Sequence, residues 1–99
     1  MPEHAAIIDV SRYYPSPGKR EELLDAMRTL ASSASSRPGC FGAQACESDE
    51  DGATLVAISR WASEEMMEDF ANSPDFVRER EQLTSLLARP ASREHFRPR

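Results

Sequence analysis

The sequence predicts an α+β fold in which an antiparallel sheet carries two helical segments on one of its faces. Segments with strand-like and helix-like patterns follow one another in the order strand, helix, strand, strand, helix, strand, which is the split βαβ arrangement. Apolar residues occupy both odd and even positions of the strands, as in sheets that are covered on both faces. The length of 99 residues suits one domain, residues 1–99.

The first strand is predicted over residues 5–14 (AAIIDVSRYY), which are rich in β-branched and aromatic side chains and are followed by a proline. Strand alternation places Ile8 and Val10 on one face and Ile7 and Tyr13 on the other. A helix follows, with Ser16 as its cap and Pro17 in its first turn. Its apolar stripe recurs at helical spacing and consists of Leu23, Met27, Leu30, Ala31 and Ala34.

Two further strands are predicted over residues 40–48 and 54–62, joined by the acidic hairpin turn DEDG at 49–52. Leu55, Ala57 and Trp61 share one face of the later strand. Cys40 and Cys46 lie in one extended strand, about 20 Å apart, which is too far for a disulfide. We therefore expect two buried free thiols.

The second helical segment begins at Ser63, which can cap it, and restarts at Ser73 and Pro74. Arg89 and Pro90 are expected to end it. The apolar side of the segment comprises Met66, Met67, Phe70, Phe76, Leu83, Leu86 and Leu87. A short last strand is predicted around residues 94–96.

Composition excludes several function classes. The formal net charge of -5 disfavours nucleic acid or an anionic membrane as a partner. No apolar run approaches the ~20 residues that a spanning helix needs, and the N-terminus lacks the basic region of a signal peptide, so a cytoplasmic location is expected. No spacing of His, Cys and acidic residues indicates a metal site, and no glycine-rich loop indicates a phosphate or cofactor site.

The helices can cover only one face of the sheet, whereas the strands are apolar on both. A second copy of the chain is the simplest cover for the remaining face, so we expect a homodimer.

Three stretches carry a family resemblance: YYPSPGKREELL, PGCFG and SRWASEEMMEDFANSPDF. In order and spacing they resemble the antibiotic biosynthesis monooxygenase family of the dimeric α+β barrel group, over residues 7–96. The resemblance implies a ferredoxin-like protomer, a homodimer with sheets packed face to face, and a pocket between sheet and helices. Family members with known activity oxidise aromatic or quinol-type substrates with O2, often without metal or flavin, and the resemblance implies such a reaction here.

The resemblance argues against the haem-degrading branch of that family. The Asn, Trp and His that act there are matched here by Ser11, Phe70 and Arg80. A guanidinium has no lone pair with which to bind iron. His4 and His95 do not replace the missing histidine by position.

In the cofactor-free branch, a Trp and an Arg line the substrate pocket, and Trp61 and Arg80 match them. A buried cation stabilises a substrate anion, and an aromatic wall stacks on its ring, so these two residues are the predicted catalytic pair. Two other pocket groups of the branch are replaced by Ala57 and Met67. The predicted substrate-binding residues are Ser11, Tyr13, Met67 and Phe70.

Each of these residues can instead have a purely structural role. Trp61 can be core packing at a strand end, and Arg80 lies in the charged run RERE, which is typical of a solvated helix face. The chain can therefore also be a non-catalytic dimeric module that binds a small hydrophobic molecule, or an isomerase- or decyclase-like member of the fold group. The distinguishing observation is whether Trp61 and Arg80 reach the same cavity.

Overall fold

The computed structural model describes residues 4–99, which form a four-stranded antiparallel sheet with helices packed on one face. The elements are β1 (Ile7–Tyr13), α1 (Arg20–Ser35), β2 (Cys40–Glu47), β3 (Leu55–Trp61), α2 (Glu64–Ala71), α3 (Pro74–Thr84) and β4 (Ser92–Phe96). The strand order across the sheet is β2-β3-β1-β4. This arrangement confirms the predicted ferredoxin-like α+β fold. The expected cytoplasmic location drew on the N-terminus, whose residues 1–3 lie outside the described part.

The second helical segment is two helices, because the chain breaks and restarts where the sequence predicted. Ser63 accepts a hydrogen bond from the backbone N–H of Met66 at 3.1 Å and so caps α2. Ser73 accepts one from the N–H of Phe76 at 3.3 Å, and Pro74 occupies the first turn of α3.

The predicted helix limits next to β1 and after α3 were wrong. The first helix begins at Arg20, because residues 16–19 form a turn in which the N–H of Lys19 donates to the carbonyl of Ser16 at 2.9 Å. Gly18 in this turn has φ of 78°, a left-handed conformation that a helix cannot include. The last helix ends at Thr84 rather than at Arg89.

The chain after α3 leaves the helix because it pairs with the segment that follows β1. The N–H of Ser16 donates to the carbonyl of Leu86 at 2.9 Å, and the N–H of Ala88 donates to that of Tyr14 at 2.7 Å. These bonds direct the chain into β4, which is longer than the sequence predicted because it begins at Ser92.

The core lies between the helices and the sheet face that they cover, here called the inner face. It forms two clusters of buried side chains. One contains Tyr13, Leu23, Leu24, Met27, Leu30, Leu55, Leu83 and Leu86, and the other contains Ile7, Ala34, Trp61, Met67 and Phe70. Met66 was expected on the apolar side of its helix, but it is 40% exposed and lies over Gly39. Both cysteines are free, and they are half-buried rather than buried.

Candidate functional site

A cavity of about 220 Å³ lies between the inner face of the sheet and the helices. Residues of both core clusters line it. Its apolar walls include Met27, Leu30, Ala34, Phe70 and Phe76. The polar residues that line it are Asp9, Ser11, Tyr13, Gln44, Ser59, Arg80, Ser92 and Arg93.

The sheet forms the floor of the cavity, and an ion pair between β1 and β4 is one part of it. The Nε and Nη2 atoms of Arg93 donate to the two carboxylate oxygens of Asp9, each at 2.9 Å. His95 lies directly opposite Asp9 in the register of β1 and β4, and its Nε2 is 3.4 Å from Oδ1 of that carboxylate. The bidentate bond raises the pKa of Arg93.

Tyr13 and Ser11 continue this floor along the same face of β1. Burial raises the pKa of the Tyr13 phenol, and the hydroxyl of Ser11 partly offsets the shift. The charge of Asp9 also raises the pKa of the phenol, and the charges of Arg93 and Arg80 lower it. Tyr13 is therefore a neutral hydrogen-bonding group at physiological pH.

Arg80 contributes a cation from the helix layer. Its guanidinium carbon lies 5.6 Å from the centre of the Phe76 ring, which is within the range of a cation–π contact. It forms no salt bridge with any residue between 4 and 99. Arg80 is an exposed residue that also lines the cavity, so it reaches the cavity at its rim with its charge uncompensated.

Four of the six predicted site residues line this cavity together: Ser11, Tyr13, Phe70 and Arg80. Trp61 and Met67 do not line it. Both are 1% exposed and pack in the core with Phe70.

Trp61 lies behind the cavity wall. Its ring stacks on Phe70 with centroids 5.5 Å apart, and its Nε1–H donates to Ser59 Oγ at 2.8 Å. Trp61 and Arg80 therefore do not reach the same cavity: Trp61 touches two residues that line it, and Arg80 lines it.

Asp9, Ser59, Arg93 and His95 were not predicted from the sequence as site residues. One signal was present: Asp9 is a lone acid in an apolar strand, on the same alternating face as Tyr13. Its partners were not recognisable, because Arg93 lies 84 positions along the chain, outside the strand predicted at residues 94–96.

A second, more polar cavity of about 200 Å³ shares Phe70 and Phe76 with the first in its lining. The guanidinium carbon of Arg37 lies 5.7 Å from the centre of the Phe70 ring there. Glu79, which also lines it, has a buried Oε2 atom with no hydrogen-bond partner among residues 4–99. The Phe70–Phe76 pair thus lines both cavities.

Within residues 4–99, no group of three or more His, Cys, Asp or Glu side chains is arranged to hold a metal ion. No helix in the same range is both long and apolar enough to cross a membrane.

Comparison with known proteins agrees with this architecture. A family model described as antibiotic biosynthesis monooxygenase matches residues 6–82. No curated protein matches the chain.

Solved structures match over nearly the whole chain. Rv0793 from Mycobacterium tuberculosis is 25% identical over 93% of each chain, with a TM-score of 0.84. A conserved protein from Methanosarcina mazei Go1 is 19% identical over 96% of this chain and 94% of its own, with a TM-score of 0.88. PA3566 from Pseudomonas aeruginosa is 18% identical over 96% and 95%, with a TM-score of 0.82. The last two similarities concern the fold alone.

Proposed function

The chain belongs to the antibiotic biosynthesis monooxygenase family, and on that premise we propose that it is a cofactor-independent monooxygenase that oxidises a small aromatic or quinol-type molecule with O2. The observation that supports this proposal is the cavity, in which apolar walls surround a ring-sized space while the neutral phenol of Tyr13 and the uncompensated guanidinium of Arg80 face it.

The chemistry requires an electron-rich substrate that can lose a proton. Its anion passes an electron to O2, and the resulting substrate radical and superoxide combine at a ring carbon. One oxygen atom ends as the new carbonyl at that carbon. The other leaves as water with the hydrogen atoms of the broken O–H and C–H bonds. The protein has to bind the substrate, exclude water and stabilise the anion.

Each task has a candidate group in the cavity. Arg80 stabilises the anion, because its cation is unpaired and keeps its charge at any working pH. Phe70 and Phe76 contact each other with ring centroids 4.7 Å apart and form an aromatic wall for the substrate ring. Ser11 and Tyr13 hydrogen-bond to its oxygen substituents.

Trp61 and Met67 act indirectly in this proposal. Both are buried in the core cluster that holds Phe70 in place, and Trp61 also fixes the hydroxyl of Ser59. They are positioning residues, which keep the wall of the cavity rigid around the substrate.

The active form in this proposal is a homodimer. The sheet face that the helices leave uncovered carries Ile8, Val10, Val56 and Ile58 by strand alternation, and all four are half-buried. A second sheet packed on this face would bury them.

Oxygen consumption with a hydroquinone or a dihydroxynaphthalene tests the proposal. We expect uptake by the wild type above a protein-free control, and a rate lower by about tenfold or more in Arg80→Gln, because a cation near the developing anion is lost. Arg78→Gln is the matched control. Arg78 lies on the same helix, pairs with Asp75 at 2.8 Å and does not line the cavity, so this variant should keep the wild-type rate.

The outcomes separate the two candidate functions. Binding of these compounds without any oxygen uptake would favour the non-catalytic binding module. Uptake that Arg80→Gln leaves unchanged would remove Arg80 from the mechanism.

A further inference from the structure

The charges that line the cavity leave one positive charge uncompensated. Asp9, Arg93 and Arg80 are the charged side chains of the lining within the described residues. The first two neutralise each other through their bidentate bond. Arg80 has no acidic partner among residues 4–99, so the lining carries a net charge of +1. A bound molecule with a single negative charge would complete this balance.

The polar groups of the cavity lie in two different layers. Arg80 belongs to α3, above the ring-sized space, whereas Ser11, Tyr13 and Ser59 belong to the inner face of the sheet below it. The hydroxyl groups of these three residues are neutral, and they suit a hydroxyl that both donates and accepts hydrogen bonds. Apolar and aromatic side chains of the helices, among them Met27, Leu30, Phe70 and Phe76, line the cavity as well.

From this arrangement we infer that the cavity takes a hydroxylated aromatic acid: one ring, an anionic group at one end held by Arg80, and a hydroxyl at the opposite end held on the sheet. The inference rests on the proposed function in one respect, since it takes this cavity as the substrate site. It goes further by assigning the substrate a negative charge and an orientation in the cavity.

Size and charge argue against the neighbouring ligand classes. A cavity of ~150 Å³ holds benzene, so about 220 Å³ suits one substituted ring rather than a large fused polycycle. A neutral ring would leave Arg80 without a partner. A molecule with two negative charges would bring the second one towards Asp9, whose own charge is already matched by Arg93.

Calorimetric binding without oxygen tests the anionic end. The probes are 4-hydroxybenzoate and its neutral analogue 4-hydroxybenzamide, which differ in charge but hardly in shape. We expect the acid to bind about twofold to fivefold tighter, the gain typical of a charge pair near the surface. Arg80→Gln should abolish this preference, and Arg78→Gln should retain it.

The hydroxyl end has its own probe pair. 4-Hydroxybenzoate should bind several-fold tighter than benzoate, because only the former can use the hydrogen-bonding groups of the sheet. Tyr13→Phe, which keeps the buried ring and removes its hydroxyl, should reduce this preference. Tyr14→Phe is the matched control, since the hydroxyl of Tyr14 lies 3.3 Å from Ser92 Oγ and Tyr14 does not line the cavity.

The outcomes of these binding experiments either support or overturn the proposed ligand class. Equal binding of the acid and the amide, loss of the preference in Arg78→Gln, or no binding of any probe would overturn it. A protein that binds the acid selectively but consumes no oxygen would support this inference and contradict the proposed function. Oxygen uptake with neutral quinols together with no selectivity for the acid would do the reverse.

Discussion

At the scale of single residues, the cavity depends on a few polar side chains held on an apolar scaffold. Tyr13 is the clearest case, because it packs in the core and also lines the cavity. Burial penalises the phenolate and raises the pKa above the ordinary value of 10.0. The neutral phenol is thus a product of the same packing that builds the fold.

The raised pKa of Tyr13 can be measured directly. In Tyr14→Phe, Tyr13 is the one tyrosine left, and its phenolate absorbance should appear at a pH above 10.0. The folded state holds this proton more tightly than the unfolded state. The contribution to stability is therefore complete below pH 10.0 and is lost as the pH rises through the folded-state pKa. Ionisation at or below pH 10.0 would contradict the burial of the phenol.

Local sequence could identify some site residues but not others. Two lining residues were among those predicted: the family resemblance pointed to Arg80, and strand alternation placed Tyr13 on the same face as Ile7. Trp61 matched the same resemblance, yet it packs behind Phe70. The resemblance predicts where Trp61 lies on its strand, but not that the Phe70 ring lies between it and the cavity. Asp9 and Arg93 meet only after the first and last strands pair, which no local pattern encodes.

At the scale of elements, the split between α2 and α3 is set by side-chain caps. Ser73 serves two hydrogen bonds at this joint: its hydroxyl donates to the carbonyl of Phe70 at 2.7 Å and accepts from the N–H of Phe76 at 3.3 Å. Both aromatic residues line the cavity. The joint therefore positions the aromatic wall as well as ending one helix and starting the next.

Loss of this cap should be visible in stability. Ser73→Ala should lower the free energy of unfolding by about 1 kcal/mol, the typical cost of removing a serine N-cap. Urea denaturation followed by circular dichroism measures the change. Ser32→Ala is the control: Ser32 is exposed within α1, and alanine there should leave stability equal or slightly higher. Equal effects of the two substitutions would show that the cap contributes nothing specific.

The order of the elements was predictable, whereas several of their ends were not. The two serine caps act within their own turns, so the sequence displays them. The start of α1 depends on the turn around Gly18, and the end of α3 depends on backbone bonds to the segment after β1. These are tertiary interactions, and they override a helical pattern that continues through Leu86 and Leu87.

At the scale of the whole molecule, the two sides of the sheet differ in kind. Helices cover the inner face, and the site lies between the layers. The outer face carries half-buried aliphatic side chains, and Phe96 extends this surface at the edge strand, opposite Ile8 in the register. Phe96 is 41% exposed, which nearly equals the 40% exposure of Met66 on the helical side. The two residues are a matched pair on opposite sides of the molecule.

This pair tests whether the outer face is the dimer interface. If two sheets pack face to face, a charge at Phe96 would be buried without a partner, which is costly, whereas a charge at Met66 would remain in water. We therefore expect a dimer mass for the wild type by light scattering at micromolar concentration, a shift towards the monomer in Phe96→Asp, and no shift in Met66→Asp. A wild-type monomer would contradict the homodimer. A dimer that only Met66→Asp weakens would place the interface on the helical side, close to α2 and the aromatic wall of the cavity.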